Sequence, residues 1–455
     1  MKFFVLILLI LALTCPSLQA NPTLWKDKTE NADYIHRSIK QVTDVMVHDI
    51  YSPPVACRTY AYVSIAAYEA VVPQSPEYVS FAGQLRQLKP VPKPEPGKEY
   101  SSSLAAVQAI LTVGKALVIS EEKIEDFKLK LLQEFKKDGM PEEVFKNSIA
   151  YGQKVAEHIL SWASQDNYKQ TRTFAKYAVS DDPATWKPTP PAYIKAIEPH
   201  WNKIRTFVID SAAQFKPLRP TPFSFNKNSK FYKEAVAVRE IGLKLTNEQN
   251  EIANFWDCNP FKMNVRGHVM FATKKISPGG HWINITRLAC KKANADLVKS
   301  AEVYASLAIT LADCFISCWD EKYRSKVIRP ETYINQYIDP QWLPLLQTPP
   351  FPEYTSGHSV VSAAASVVLS KYFGDKFSYT DSTEYEFGLP ARNFTSFQSA
   401  AEEAAISRFY GGIHYMPSIT NGLIEGKKIG LFVSRKLRTR HGAQVALKQN
   451  STAIK

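Results

Sequence analysis

Apolar residues recur at helical spacing along most of this chain. The strongest stretch, residues 293–322 (ANADLVKSAEVYASLAITLADCFISCWDEK), asks for a long helix that is apolar on nearly every side. Such a helix must be surrounded by others. The same periodicity predicts helices over about 32–50 and 57–71, parted by Pro53-Pro54, and then over 102–118, 121–137 and 142–165. More are expected at 229–244, 247–257, 358–373, 396–409 and 417–437. Strand signals are sparse and no fixed-period repeat is visible, so the fold class read from the residues is all-α. Residues 21–165 form an N-terminal helical region. Between 166 and 228 prolines cluster among aromatic residues, which reads as a long ordered excursion over the surface. The helical region resumes over 229–440 and ends in a basic tail, 441–455.

The chain starts with Met1-Lys2, the apolar run FFVLILLILAL, and then Leu18-Gln19-Ala20. A charged start, a short apolar core and a small residue at a cleavage point make residues 1–20 a secretory signal peptide, and an exported protein, periplasmic or secreted, is the expectation. No later stretch is expected to reach the ~20 apolar residues of a membrane helix.

Of six cysteines, Cys15 falls in this leader. The remaining five, Cys57, Cys258, Cys290, Cys314 and Cys318, cannot all pair internally, and Cys314 and Cys318 read as buried thiols on one helical face. The net charge of +13 is scattered along the chain, so a solvated basic surface that gathers small anions is expected, rather than a nucleic-acid partner. Asn284, Asn393 and Asn450 each open a glycosylation-like triplet, a pattern short enough to arise by chance.

Three segments of the C-terminal third carry the chemistry: Lys322 with Arg329-Pro330, then Thr355-Ser356-Gly357-His358, then Ser407-Arg408-Phe409-Tyr410-Gly411-Gly412-Ile413-His414. Together they supply what a tetrahedral oxyanion needs. Arg329 and Arg408 offer planar forks of permanently charged donors, and Lys322 adds a point charge. Ser356 brings a hydroxyl, and Gly357 lets a backbone amide come close at the start of a helix whose free amides favour negative charge. Of the two histidines, one can bond to the central atom and the other can move a proton.

These segments resemble the three-part signature shared by vanadium-dependent haloperoxidases and the acid phosphatases of the type 2 phosphatidic acid phosphatase superfamily, over residues 180–435. The resemblance implies two packed helical bundles with the active site in the C-terminal one. It implies vanadate as cofactor, with His414 as its metal ligand, His358 as the acid–base group, and Lys322, Arg329, Ser356, Gly357 and Arg408 around the oxygens. Lys322 would also polarise the peroxide. Trp319 and Phe351 look like halide-pocket residues, and the segments Trp186–Ile209 and Gly280-His281-Trp282 are similar to segments of bacterial haloperoxidases, whose aromatics line a pocket or fill a core.

Two positions depart from the signature. Thr355 stands where proline is usual. Ser418, four residues after His414, stands where many relatives carry an aspartate that orients the histidine, and Asp313 or Asp320 is the suggested substitute. The other histidines (His36, His48, His158, His200, His268, His281 and His441) have no metal-ligand spacing, and only His281 is placed near the pocket. The implied activity is an oxidoreductase one, oxidation of iodide or bromide by hydrogen peroxide to a hypohalous species, with the organic acceptor and oligomeric state left open. The alternative is a secreted acid phosphatase in which His414 attacks phosphorus and His358 protonates the leaving alcohol. A binder without turnover would lack His358, which is present.

Overall fold

The computed structural model describes residues 24–442, so the expected leader, Asn450 and the tail from 443 onward lie outside the described residues. Seven helices come first: α1 (Leu24–Thr29), α2 (Asp33–His48), α3 (Pro53–Val71), α4 (Ser102–Leu117), α5 (Glu121–Lys137), α6 (Glu142–Ala163) and the short α7 (Tyr168–Thr171). After the proline-rich stretch come α8 (Lys230–Leu243) and α9 (Asn247–Phe255), a hairpin of β1 (Met263–Arg266) and β2 (Val269–Ala272), α10 (Pro278–Lys292), α11 (Leu297–Ser325) and α12 (Pro330–Tyr337). The chain closes with α13 (Gly357–Phe373), a hairpin of β3 (Tyr379–Asp381) and β4 (Arg392–Phe394), α14 (Phe397–Tyr410) and α15 (Met416–Lys436). Both hairpins are antiparallel two-stranded ladders.

Every helix expected from periodicity is present. Pro53 and Pro54 open α3 instead of lying in a break, because a fixed φ and a missing N–H suit a first turn. The long helix expected at 293–322 starts later, at Leu297, where Asp296 accepts a hydrogen bond from the Lys299 amide at 2.7 Å. The stretch before it forms a separate helix, α10, whose glycine-rich start hid it. Ser277 caps α10 and Pro278 occupies its first turn.

Contrary to the expectation for the later chain, α11 is long and apolar enough to cross a membrane, but its apolar window is wholly buried in protein. It serves as a wall shared by two groups of helices. On one side it packs against α3, which in turn packs against α4 and α6; on the other it packs against α13 and α15. One apolar core runs through both, with Tyr62 and Ile65 on α3, Leu307 and Leu311 on α11, and Val361 and Leu369 on α13. Burying each such side chain contributes about 1.5–3 kcal/mol, so α11 stabilises both groups at once.

The closest helix pairing is α13 on α15. Gly422, Gly426 and Gly430 recur every four residues on one face of α15, and a Cβ on Gly426 would fall 2.0 Å from the Val360 carbonyl oxygen. Glycine is required there because the backbones touch.

The proline-rich excursion is strapped to the C-terminal half. The Trp186 amide donates to Lys326 O at 2.7 Å and the Ile197 amide to Pro350 O at 3.1 Å. Asp313 on α11 accepts the amides of Phe207, Val208 and Ile209. Trp186, Trp201 and Trp282 are core residues rather than cavity wall. All five described cysteines are buried free thiols. Asn284 is buried and donates to Thr383 Oγ1, which removes it as a glycosylation site.

Candidate active site

The three signature segments meet where four element ends converge. Lys322 lies in the last turn of α11, Arg329 caps α12, His358 is the second residue of α13, and Arg408 lies in the last turn of α14. His414 follows in the short connection to α15. A cavity opens there, lined by Gly357, His358, Arg408, His414, Trp319 and Phe351 and rimmed by Cys258, Asn259, Pro260 and Phe261.

The arginines are fully buried, and part of each is left without a partner. Arg329 donates from Nε to Phe351 O at 2.9 Å and from Nη1 to Ile413 O at 2.9 Å, while Nη2 has no partner among the described residues. Arg408 donates from Nη1 to Trp256 O, while Nε has none. His358 Nε2 is also buried and unpartnered. Buried polar atoms are rarely left so; two of these belong to the cavity-lining His358 and Arg408 and the third to Arg329, which contacts the lining residue His414, and together they mark a ligand that would satisfy them. Gly357 agrees: a Cβ there would meet only Trp319 and Phe315, at 3.7 and 4.0 Å, so packing against protein does not forbid a side chain. Ser356 caps α13, its Oγ accepting the Ser359 amide at 3.3 Å. The site fits a small oxyanion.

Lys322 belongs to the same buried group but lies behind the cavity. Its Nζ donates to the carbonyls of Pro352, Glu353 and Thr355, and burial lowers its pKa to about 8. The charge stands 5.2 Å from the Phe351 ring and 5.7 Å from the Trp319 ring. The two rings tilt against each other with centroids 4.9 Å apart.

The residue that sequence reasoning missed is Glu353. Its Oε1 is 2.7 Å from His414 Nδ1 and accepts the Tyr415 amide at 3.0 Å. This corrects the suggestion of Asp313 or Asp320: Asp313 holds backbone amides of the excursion, and Asp320 accepts from Asn202. Ser418 keeps a lesser part, with Oγ 3.3 Å from His414 Nδ1. Glu353 stands in the run FPEYTSGH, residues 351–358, five residues before His358, and that proximity was the one available signal.

Arg329 Nη1 approaches His414 Nε2 at 3.1 Å. An arginine only donates, so Nε2 carries the lone pair and Nδ1 carries the proton given to Glu353. Burial, followed by Arg329, Lys322 and Arg408, holds the His414 pKa well below the usual histidine range. Burial and then Arg408 do the same for His358. Glu353 is pushed up to about 7 by burial, against the pull of Arg329 and Lys322.

The fold and this cradle define a mainly helical protein with a buried oxyanion site and a neutral, lone-pair-bearing histidine inside it. The model of the VCPO second helical-bundle domain matches residues 302–442. A solved bacterial vanadium-dependent iodoperoxidase superposes with a TM-score of 0.86 and is 49% identical, over 90% of this chain and 98% of its own. A bacterial vanadium-dependent chloroperoxidase in its holo form shares the fold at a TM-score of 0.64 and 16% identity, over 88% of this chain and 97% of its own. No curated protein matches the chain. The chain belongs to the vanadium-dependent haloperoxidases, and vanadate is the cofactor of that family.

Proposed function

We propose that this chain holds vanadate at His414 Nε2 and oxidises iodide, and more slowly bromide, with hydrogen peroxide, as an exported protein. The reading rests on the unpartnered, buried Arg329 Nη2, Arg408 Nε and His358 Nε2 around His414, whose Nε2 lone pair Arg329 Nη1 approaches at 3.1 Å. The iodide preference follows from likeness to a solved iodoperoxidase. Export follows from the leader-like first residues.

Bound there, vanadate supplies a Lewis acid that needs no change of oxidation state. The protein's share is preorganisation. Arg329 and Arg408 neutralise anionic oxygens in a site from which water is largely excluded. Glu353 orients His414 and raises its donor strength. His358, neutral at working pH, takes the proton of the incoming peroxide at Nε2. The Lys322 charge beside Phe351 and Trp319 gives the halide a positive field inside an otherwise apolar wall.

Acid phosphatase chemistry is the second reading, since the same donors suit phosphate. The missing aspartate at Ser418 does not argue against it, because Glu353 supplies the carboxylate. The test is iodide and bromide oxidation with peroxide, with and without vanadate, beside phosphate-ester hydrolysis by the vanadate-free protein. Halide oxidation that requires vanadate and is suppressed by phosphate is expected. Ester hydrolysis without halide oxidation would overturn the proposal.

A further inference from the structure

At the cavity wall, Cys258, itself a lining residue, meets His281 and Glu384, which lie behind it, so that three separate parts of the chain converge: the turn after α9, the first turns of α10, and the β3–β4 connection. All three side chains are buried. His281 Nδ1 lies 3.4 Å from Cys258 Sγ and 3.2 Å from Glu384 Oε1, and Sγ lies 3.9 Å from Oε1. No ligand spacing in the sequence announces this group; the fold alone assembles it.

The dimensions are those of one tetrahedral face. A zinc-like ion bonded at roughly 2.0–2.3 Å to nitrogen, oxygen and thiolate sets its donors about 3.3–3.8 Å apart. The far side of the imidazole is fixed as well. His281 Nε2 is 2.7 Å from Asp381 Oδ2, and Asp381 Oδ1 is held by the amide and hydroxyl of Thr383. A proton on Nε2 given to Asp381 leaves the Nδ1 lone pair turned toward the thiol and Glu384, which is the arrangement of metal-bound histidines backed by a carboxylate.

We propose that Cys258, His281 and Glu384 bind a divalent cation of borderline softness, zinc first, at a site separate from the vanadate cradle. Thiolate and imidazole together select zinc over magnesium or calcium. Uptake breaks the Cys258 S–H bond and the His281 Nδ1–H bond, forms one sulfur–metal and one nitrogen–metal bond, and releases two protons to solvent with no electron transfer. The ion ties the turn after α9 to α10. Trp256 in that turn stacks on His281 with ring centroids 4.5 Å apart, and its carbonyl accepts Arg408 Nη1. The loaded site thereby positions Arg408.

The test is elemental analysis of the full protein dialysed against zinc, together with the absorption spectrum after cobalt(II) uptake. One equivalent of zinc and a thiolate-to-cobalt charge-transfer band are expected in the native protein, with His414→Ala unchanged in zinc content. Cys258→Ser should lose the band, Glu384→Gln should lose stoichiometric zinc, and Asp381→Asn should bind zinc ~10–100-fold more weakly. The cobalt spectrum of the native protein decides the matter even where a variant fails to fold. Absence of zinc and cobalt uptake by the native protein, or a charge-transfer band that survives Cys258→Ser, would overturn the proposal and leave His281 as an imidazolium between Asp381 and Glu384.

Discussion

Glu353 Oε1 lies 2.7 Å from His414 Nδ1, with both side chains buried and Arg329 Nη1 on the opposite nitrogen. The imidazole is thus gripped from both edges, and of these two partners the carboxylate is the one that can accept its proton. Glu353→Gln should weaken vanadate binding by ~10–100-fold, whereas Asp320→Asn should leave it unchanged. Equilibrium dialysis with vanadate measures both, and native affinity in Glu353→Gln would refute the orienting role.

Phe351 packs on Trp319 and stands 5.1 Å from the Arg329 guanidinium. Removing the ring forfeits about 1 kcal/mol of cation–π contact but no hydrogen bond to the oxyanion. Phe351→Ala should therefore cost less than tenfold in vanadate affinity while changing the ratio of kcat/KM for iodide to that for bromide. An unchanged ratio would remove Phe351 from the halide pocket.

Glu425 is buried between the hydroxyls of Ser317 and Thr355, and burial pushes its pKa up to about 7 from an ordinary value of 4.5. A carboxyl with a raised folded-state pKa contributes stability that is complete below its unfolded value and is lost as pH rises through the folded one. In vanadate-free protein, the Tm of Glu425→Gln relative to the native chain should rise between about pH 4.5 and 7 and level off above that range. A pH-independent difference would contradict this.

Gly426 leaves no room for a methyl group beside the Val360 carbonyl. Gly426→Ala should destabilise by about 1–3 kcal/mol or more, read by denaturant unfolding. Vanadate affinity should fall too, because α13 carries His358 and α15 follows directly on His414. Wild-type stability would mean that the two helices separate freely.

If residues 1–20 are a leader, protein recovered from outside the cytoplasm should start at Asn21 by amino-terminal sequencing. Retention of Met1 in a protein confined to the cytoplasm would refute export.

Helices were legible because their apolar periodicity is local, and the cradle because Arg329, Ser356, Gly357, His358, Arg408 and His414 stand in short ordered segments. What escaped was non-local or masked. Glu353 reads as a loop acid until the chain folds it under His414. Lys322 reads as an oxyanion donor, yet the three carbonyls that take its ammonium belong to a turn thirty residues on. The start of α10 hid behind Pro278, Gly279 and Gly280, weak helix formers that the Ser277 cap and close packing against α3 override.

Side chains in a protein core hop among rotamers, and a site aligned by their interdigitation inherits that play. Here α13, which bears His358, and α15, which begins two residues after His414, are registered by main chain against main chain, through Gly422, Gly426 and Gly430. The surrounding apolar residues can therefore change rotamer, or one aliphatic replace another, while the spacing of His358 and His414 stays in tune.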